Sequence, residues 1–211
     1  MELKCFTFNP FQENTYILWD EQDNCLIIDP GCFTNTEQQE LLSFIKDKNL
    51  KPLAILHTHA HVDHIMGTAF LQSHYGIDTY VNKKDLVWYE SAEISGERWG
   101  IKVEQPEAPS HFIPETGDLS FGQMKLEIRF IPGHAPGHVV FIHHESKQII
   151  AGDVLFLNSI GRTDLPFCDH DALINGIHEQ LFPLDDDYMV HPGHGPSTSI
   201  GNERKNNPFL R

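Results

Sequence analysis

Residues 58–64 read Thr-His-Ala-His-Val-Asp-His, which sets His59, His61, Asp63 and His64 within one short segment. Imidazole is the commonest protein metal ligand, and a carboxylate suits the same borderline ions. In an extended or tightly turning loop, side chains at i and i+2 point the same way. His59 and His61 are therefore expected to reach one ion, and Asp63 and His64, past the bend, a second. The apolar run Pro52-Leu53-Ala54-Ile55-Leu56 feeds directly into the motif. A ligand loop leaving a buried strand is where an α/β site is expected.

Three further loops carry the same kind of chemistry. Gly133-His134-Ala135-Pro136-Gly137-His138 follows a strand-like stretch, and its Pro and Gly residues force a turn. Either His134 or His138 reaches a metal there, with the other behind it. Asp153 closes Ala151-Gly152-Asp153 at the end of another apolar run, where a carboxylate is placed to bridge two ions. His194 stands between two glycines in His191-Pro192-Gly193-His194-Gly195-Pro196. A fifth turn, Asp29-Pro30-Gly31, offers a carboxylate that either accepts a hydrogen bond from a ligand imidazole or only makes the turn. The candidate ligands are thus His59, His61, Asp63, His64, His134, Asp153 and His194. His57 reads as a locally bonded or packed residue, and the other histidines as surface or core.

The elements that must position these loops are short. Strands are expected at Leu3–Phe8, Thr15–Trp19, Cys25–Ile28, Leu53–Leu56, Thr79–Val81, Met124–Ile131, Val139–His143, Gln148–Ala151 and Tyr188–Val190. Helices are expected at Thr36–Lys48 with Thr36 as cap, and at Ile65–Tyr75, Lys84–Ile94, Ala172–Leu181 and Ile200–Asn206. Ser95–Pro114, rich in Gly and Pro, reads as a loop over one face and a candidate flap. Trp88, Tyr89 and Trp99 lie in or near it, as a cleft wall, a subunit contact or core. A strand-rich run with helices occurs once before residue 100 and once after it. That pattern fits an α/β protein of two sheets packed face to face with helices outside, a four-layer αββα sandwich. No linker or repeat divides the chain, so residues 1–211 are expected to form a single domain.

Composition narrows the function classes. The chain has 211 residues, 30 acidic against 15 basic, and a formal charge of −15. Nucleic-acid binding needs a positive footprint, so it is not expected. No apolar stretch is long enough to span a membrane. The N-terminus lacks the features of a signal peptide, and a cytoplasmic location is the expectation. Cys5, Cys25, Cys32 and Cys168 show no CxxC spacing and read as reduced; Cys32, beside Asp29-Pro30-Gly31, is the one to watch. Nothing in the residues sets the oligomeric state.

Taken together, His59-x-His61-x-Asp63-His64, followed in order by His134, Asp153 and His194 and preceded by Asp29, resembles the signature of the metallo-β-lactamase superfamily. The likeness spans nearly the whole chain. Within that family the chain is most similar to the glyoxalase II group, particularly its short bacterial members. Gly133–His138, Gly161-Arg162-Thr163-Asp164-Leu165-Pro166, His194-Gly195-Pro196-Ser197-Thr198 and Gly201-Asn202-Glu203-Arg204…Asn207-Pro208-Phe209 carry that likeness. The resemblance implies that His59, His61 and His134 hold one metal, that Asp63, His64 and His194 hold the other, and that Asp153 bridges. Asp29 and His138 then stand behind the ligands. It implies two divalent cations, zinc first and iron or manganese next, and a small-molecule thioester of the S-D-lactoylglutathione type. The metal-bridging hydroxide would do the hydrolysis, with Asp63 and Asp153 as its catalytic carboxylates.

Two departures bear on the thiol half of the substrate. Long glyoxalase II enzymes have a C-terminal helical region that supplies much of the glutathione site, and a chain ending at Arg211 is expected to lack it. Cys32 stands where a second glycine is common. Arg162 is the candidate for an anionic substrate group, the alternative being an ion pair with Asp164. A rival from another class is the persulfide dioxygenase, similar to this family, with one iron on residues corresponding to His59, His134 and Asp153. The Pro-Gly-His-Gly setting of His194 favours the hydrolases. A β-lactamase proper is disfavoured by the missing export signal, and a binding module by the full set of ligands.

Overall fold

The computed structural model describes residues 1–211. Strands β1 (Glu2–Phe8), β2 (Glu13–Trp19) and β3 (Asn24–Ile28) form an antiparallel meander. The chain then crosses over through α1 (Asn35–Asp47) to β4 (Lys51–Leu56), which lies parallel to β3. Helices α2 (Val62–Ile65) and α3 (Thr68–Tyr75) lead to β5 (Asp78–Asn82). Helices α4 (Leu86–Tyr89) and α5 (Ala92–Arg98) lead to β6 (His111–Ile113). These six strands make one sheet in sequence order, parallel from β3 onward.

The second sheet begins with β7 (Thr116–Phe121), β8 (Met124–Phe130), β9 (Val139–His143) and β10 (Gln148–Gly152). A small ribbon of β11 (Leu155–Phe156) and β12 (Ser159–Ile160) follows, then α6 (His170–Gly176). Strand β13 (Met189–Pro192) returns parallel to β10, and β14 (Thr198–Ser199) and α7 (Ile200–Asn206) close the chain. The order is β14-β13-β10-β9-β8-β7.

Side-chain alternation decides the layers. Tyr16, Leu18, Leu26, Ile28 and Leu56 meet Leu126, Ile128, Val139 and Phe141 between the two sheets. Their neighbours Ile17, Trp19, Cys25, Ile27 and Ile55 face outward, onto Leu41 and Ile45 of α1. On the far side Val140, Ile142, Ile149 and Val190 face Leu173 of α6 and Ile200 of α7. All seven positions of β2 are buried, as a strand covered on both faces requires. Helix, sheet, sheet, helix is the expected four-layer αββα sandwich. No helix is long and apolar enough to cross a membrane.

Several boundaries differ from the sequence expectation for local reasons. Helix α1 is capped by Thr34, not Thr36: the Thr34 hydroxyl accepts from Glu37 N, and the Glu37 carboxylate accepts from Thr34 N at 2.7 Å. That reciprocal pair is a capping box. The expected Ile65–Tyr75 helix is broken at Gly67, whose N–H donates to Pro30 O at 2.7 Å. A Cβ there would lie 2.4 Å from Cys32 Sγ. Cys32 is fully buried, and burial pushes its thiol up to about 12, so it packs as a neutral thiol. The expected Lys84–Ile94 helix is a 3-10 turn at Lys83–Asp85 followed by α4 and α5. Ser95–Pro114 is accordingly not all loop, since α5 runs to Arg98 and β6 begins at His111. The Ala172–Leu181 helix starts earlier, where the Asp169 carboxylate caps Ala172 N at 3.0 Å, and ends in a wide π turn over Ile177–Leu181. Strand β7 falls outside the expected strands because most of its residues are polar or glycine and exposed.

His191 in β13 is buried against the Tyr16 ring, with Nδ1 2.9 Å from Ser197 Oγ and Nε2 against Gln148 Oε1. Burial holds its pKa down at about 4. A depressed imidazole binds its proton more readily in the unfolded chain, so stability falls as pH drops from about 6.5 and levels off below the folded value. In metal-free protein, the stability of wild type relative to His191→Gln is expected to fall by about 3 kcal/mol between pH 7 and pH 4. Urea titrations of both proteins across that range measure it, and a pH-independent difference would refute it.

Candidate metal centre

The loops that leave β3, β4, β8, β10 and β13 converge on one edge of the sandwich, where the two sheets are stitched together. Asn14 Nδ2 donates to Pro192 O at 3.0 Å and to Gly195 O at 2.8 Å, and Tyr16 Oη donates to Pro192 O at 2.6 Å. Val139 N donates to Thr58 O at 2.9 Å, joining the His134 turn to the first histidine loop.

This edge gathers all seven sequence candidates. One donor atom from each of His59, His61 and His134 lies within 4.8 Å of the others, and the same holds for Asp63, His64 and His194. Asp153 stands between the sets. Its Oδ1 is 3.5 Å from His64 Nε2, and its Oδ2 is 3.4 Å from His134 Nε2 and 3.6 Å from His194 Nε2. Asp63 Oδ2 is 3.2 Å from His194 Nε2.

Most of the rings are held from behind, which selects the nitrogen turned inward. His134 Nδ1 is 2.9 Å from Arg162 O, His194 Nδ1 is 3.1 Å from Phe11 O, and His59 Nδ1 is 3.1 Å from Thr58 Oγ1. His64 Nδ1 meets Asp29 Oδ2 at 3.2 Å. His61 differs, presenting Nδ1 at 2.8 Å from His134 Nε2. Asp29 is itself fixed by Thr58 N at 2.7 Å and Thr58 Oγ1 at 2.6 Å. Its φ of 49° is the left-handed region that Asp tolerates better than most residues.

The site fits divalent cations. His59 Nε2, His64 Nε2 and Asp153 Oδ1 are buried with no hydrogen-bond partner in the chain. Leaving a buried polar atom unpaired costs about 1–3 kcal/mol, so several at one point call for a shared partner. Imidazole and carboxylate together suit Zn, Fe or Mn. The electrostatics point the same way. Burial drives His59 well below the usual histidine range and His61 down to about 3, so both are neutral donors. Burial raises the Asp153 carboxyl, but His64 and its neighbours outweigh that and hold it ionised. For His64, burial is overcome by Asp63 and Asp153, which raise it well above its ordinary value. Two carboxylates at this point demand positive charge.

Four side chains behind the donors escaped sequence reading or were left open by it. His138 is outside the donor sets: it stacks on His59 at 4.6 Å, and its Nε2 accepts from Asp153 N at 3.0 Å. Glu13 is fully buried, 3.9 Å from His64 Nδ1, and burial raises its carboxyl well above normal. Asn14 provides the stitch described above. Asp85, also fully buried, accepts from Ala60 N at 3.0 Å and Gly137 N at 2.5 Å, so one carboxylate ties the two histidine loops together. No local motif signals this, because the partners lie far away in sequence. Asp85→Asn keeps the shape but turns an N–H toward a backbone N–H, and metal affinity is expected to drop about 10–100-fold, as for other groups that orient ligands. Competition with a chromogenic chelator measures it; unchanged affinity would dismiss the clamp.

Arg162 takes the ion-pair alternative, with Nε 2.7 Å from Asp164 Oδ1 and the other contact at 2.9 Å. The donors floor a cleft of about 630 Å³, walled by Phe11, Trp88, Trp99 and Phe156. Trp88 and Trp99 are thus cleft wall, whereas Tyr89 is core.

A four-layer αββα sandwich with two His/Asp donor sets at one edge defines a class of metal-dependent hydrolases, and the chain belongs to the metallo-beta-lactamase superfamily, whose sequence profile matches residues 8–194. It is 37% identical to the hydroxyacylglutathione hydrolase GloC of Haemophilus influenzae, over 100% of this chain and 98% of that protein. Among solved structures it is similar to the BLEG-1 B3 metallo-beta-lactamase, with TM-score 0.92, 35% identity and 99% of each chain covered. It is also similar to TTHA1623 in a di-iron-bound form, with TM-score 0.89 and 38% identity, covering 98% of this chain and 100% of that one.

Proposed function

We propose that the chain hydrolyses thioesters of the hydroxyacylglutathione type, S-D-lactoylglutathione among them, with two divalent cations, zinc first. The observation that carries this reading is the pair of three-donor sets with Asp153 between them. His59, His61 and His134 would hold one cation, Asp63, His64 and His194 the other, and Asp153 would touch both. Bound there, the cations supply acidified water and Lewis-acid polarisation of a carbonyl. Asp63 and Asp153 contribute negative charge and oxygen acceptors at the floor of the cleft, beside the point where water and the thioester carbon must meet. The thiolate leaving group, with a parent pKa of about 8.5, departs without a protein acid.

The named activity of the Haemophilus relative supports the thioester, and the di-iron form of TTHA1623 keeps iron beside zinc as a metal. A one-iron oxygenase on His59, His134 and Asp153 would leave His61, Asp63, His64 and His194 without a task. Four free thiols suit a reducing compartment, the cytoplasm.

Metal-loaded protein is expected to hydrolyse S-D-lactoylglutathione with kcat/KM of about 10⁴ M⁻¹s⁻¹ or more. A negligible rate together with oxygen uptake on glutathione persulfide would replace this reading with the oxygenase.

A further inference from the structure

The proposed substrate carries carboxylates remote from its thioester, beyond the two cations at the floor, and the chain is strongly acidic at −15, so a positive group at the rim of the cleft would favour that end of the substrate. Two guanidinium groups line the cleft, Arg98 and Arg162. They are not equivalent. Arg162 is engaged two-fold by the Asp164 carboxylate, its own backbone carbonyl holds His134, and its charge is locally cancelled. Arg98 is exposed, and its guanidinium makes no hydrogen bond or ion pair within the chain.

Helix α5 is partitioned around Arg98. Ala92 and Gly96 are buried against the body of the protein. Glu93 and Glu97 face a separate groove with Lys102 and Val103, away from the site. Ser95, one turn before Arg98, lines the metal cleft beside it, as does Trp99. Trp99 lies edge-on to Phe11, centroids 5.4 Å apart. The helix thus turns a hydroxyl, a guanidinium and an apolar wall toward the site, and its carboxylates elsewhere. The two carboxylates that share the cleft, Asp63 and Asp153, lie at its floor, whereas Arg98 is at the rim.

We propose that Arg98 binds a carboxylate of the substrate remote from the thioester, with the Phe11–Trp99 pair holding the stem between, and that Arg162 braces its loop and does not read the substrate. Guanidinium takes a carboxylate through two parallel N–H bonds, a contact that a neutral ester cannot reproduce. The substrate class is then a thioester whose thiol half ends in a carboxylate. This inference rests on the thioesterase reading for its substrate, but its binding consequence can be read without turnover.

The test uses metal-loaded protein and S-methylglutathione, which offers no thioester, against its diethyl ester, titrated through the fluorescence of Trp88 and Trp99. Wild type is expected to bind the diacid about 10-fold more tightly than the ester, Arg98→Gln to bind both equally, and Arg162→Gln to keep the preference. With S-D-lactoylglutathione, Arg98→Gln is expected to raise KM about 10-fold with kcat within about two-fold, the pattern of lost uniform binding. A preference that survives in Arg98→Gln, or is absent in wild type, overturns the assignment. A wild type that binds with the expected preference yet does not hydrolyse the thioester would sink the proposed function and leave Arg98 as the anion site.

Discussion

Asp153→Ala is expected to lower kcat/KM by about 10³-fold or more, equivalent to about 4 kcal/mol of transition-state stabilisation, and to reduce bound metal in the same preparation. The size of the effect follows from position. Asp153 is the side chain within 3.6 Å of donors from both sets, through His64 on one oxygen and His134 and His194 on the other. Alanine removes a contact from each set and withdraws one of the two negative charges on the floor of the cleft. Asp153→Asn retains one carbonyl oxygen and should fall between alanine and wild type. The backbone around it leaves little room for compensation, since a Cβ on Gly193 would lie 2.2 Å from Asp153 Oδ1 and one on Gly161 1.8 Å from Asp153 O. Metal per chain by mass spectrometry, steady-state hydrolysis and circular dichroism together decide it. An alanine variant with full metal and full activity would end the two-cation scheme.

Removing the metals should cost stability as well as activity. A ligand that binds only the folded chain stabilises it by about 4 kcal/mol when present at a thousand times its Kd. For a chain of this size each kcal/mol is worth about 2–4 °C in Tm. Stripping the protein with a chelator is therefore expected to lower Tm by about 8–16 °C and to abolish hydrolysis. The physical source is the set of inward-facing atoms, His59 Nε2, His64 Nε2 and Asp153 Oδ1, which have no partner in the chain. Adding back zinc, iron or manganese singly, with Tm and rate read in parallel, identifies the ion that serves each purpose. A stripped protein with unchanged Tm would show that these atoms are satisfied without a cation.

Which donors are available, and where the turns that present them fall, follows from the order of residues along the chain. His59, His61, Asp63 and His64 share one loop because covalent spacing puts them there, and the Gly/Pro turns around His134 and His194 follow from backbone preference. The alternation of Tyr16 and Leu18 with Ile17 and Trp19 already dictates a strand covered on both faces, and hence stacked layers. Helix α7, expected at Ile200–Asn206, forms over those residues because its cap is local, the Ser199 hydroxyl accepting from Asn202 N at 3.2 Å. Where a long-range contact intervenes, the local reading fails. The helix breaks at Gly67 because its N–H goes to Pro30 O, with Cys32 too close for a Cβ, contacts that no helical period contains.

How the loops are held, and which guanidinium is free, depends on contacts between segments far apart in the chain. Asn14 meets Pro192 across 178 residues and Asp85 meets Gly137 across 52, and neither has a motif of its own. Arg162 and Arg98 are the same residue type on the same cleft, yet Asp164 occupies one and nothing in the chain occupies the other. Residue type and spacing constrain what a side chain can do. Its environment, assembled from distant strands through burial and hydrogen bonding, decides whether the side chain is a metal donor, a brace, a clamp or a substrate contact.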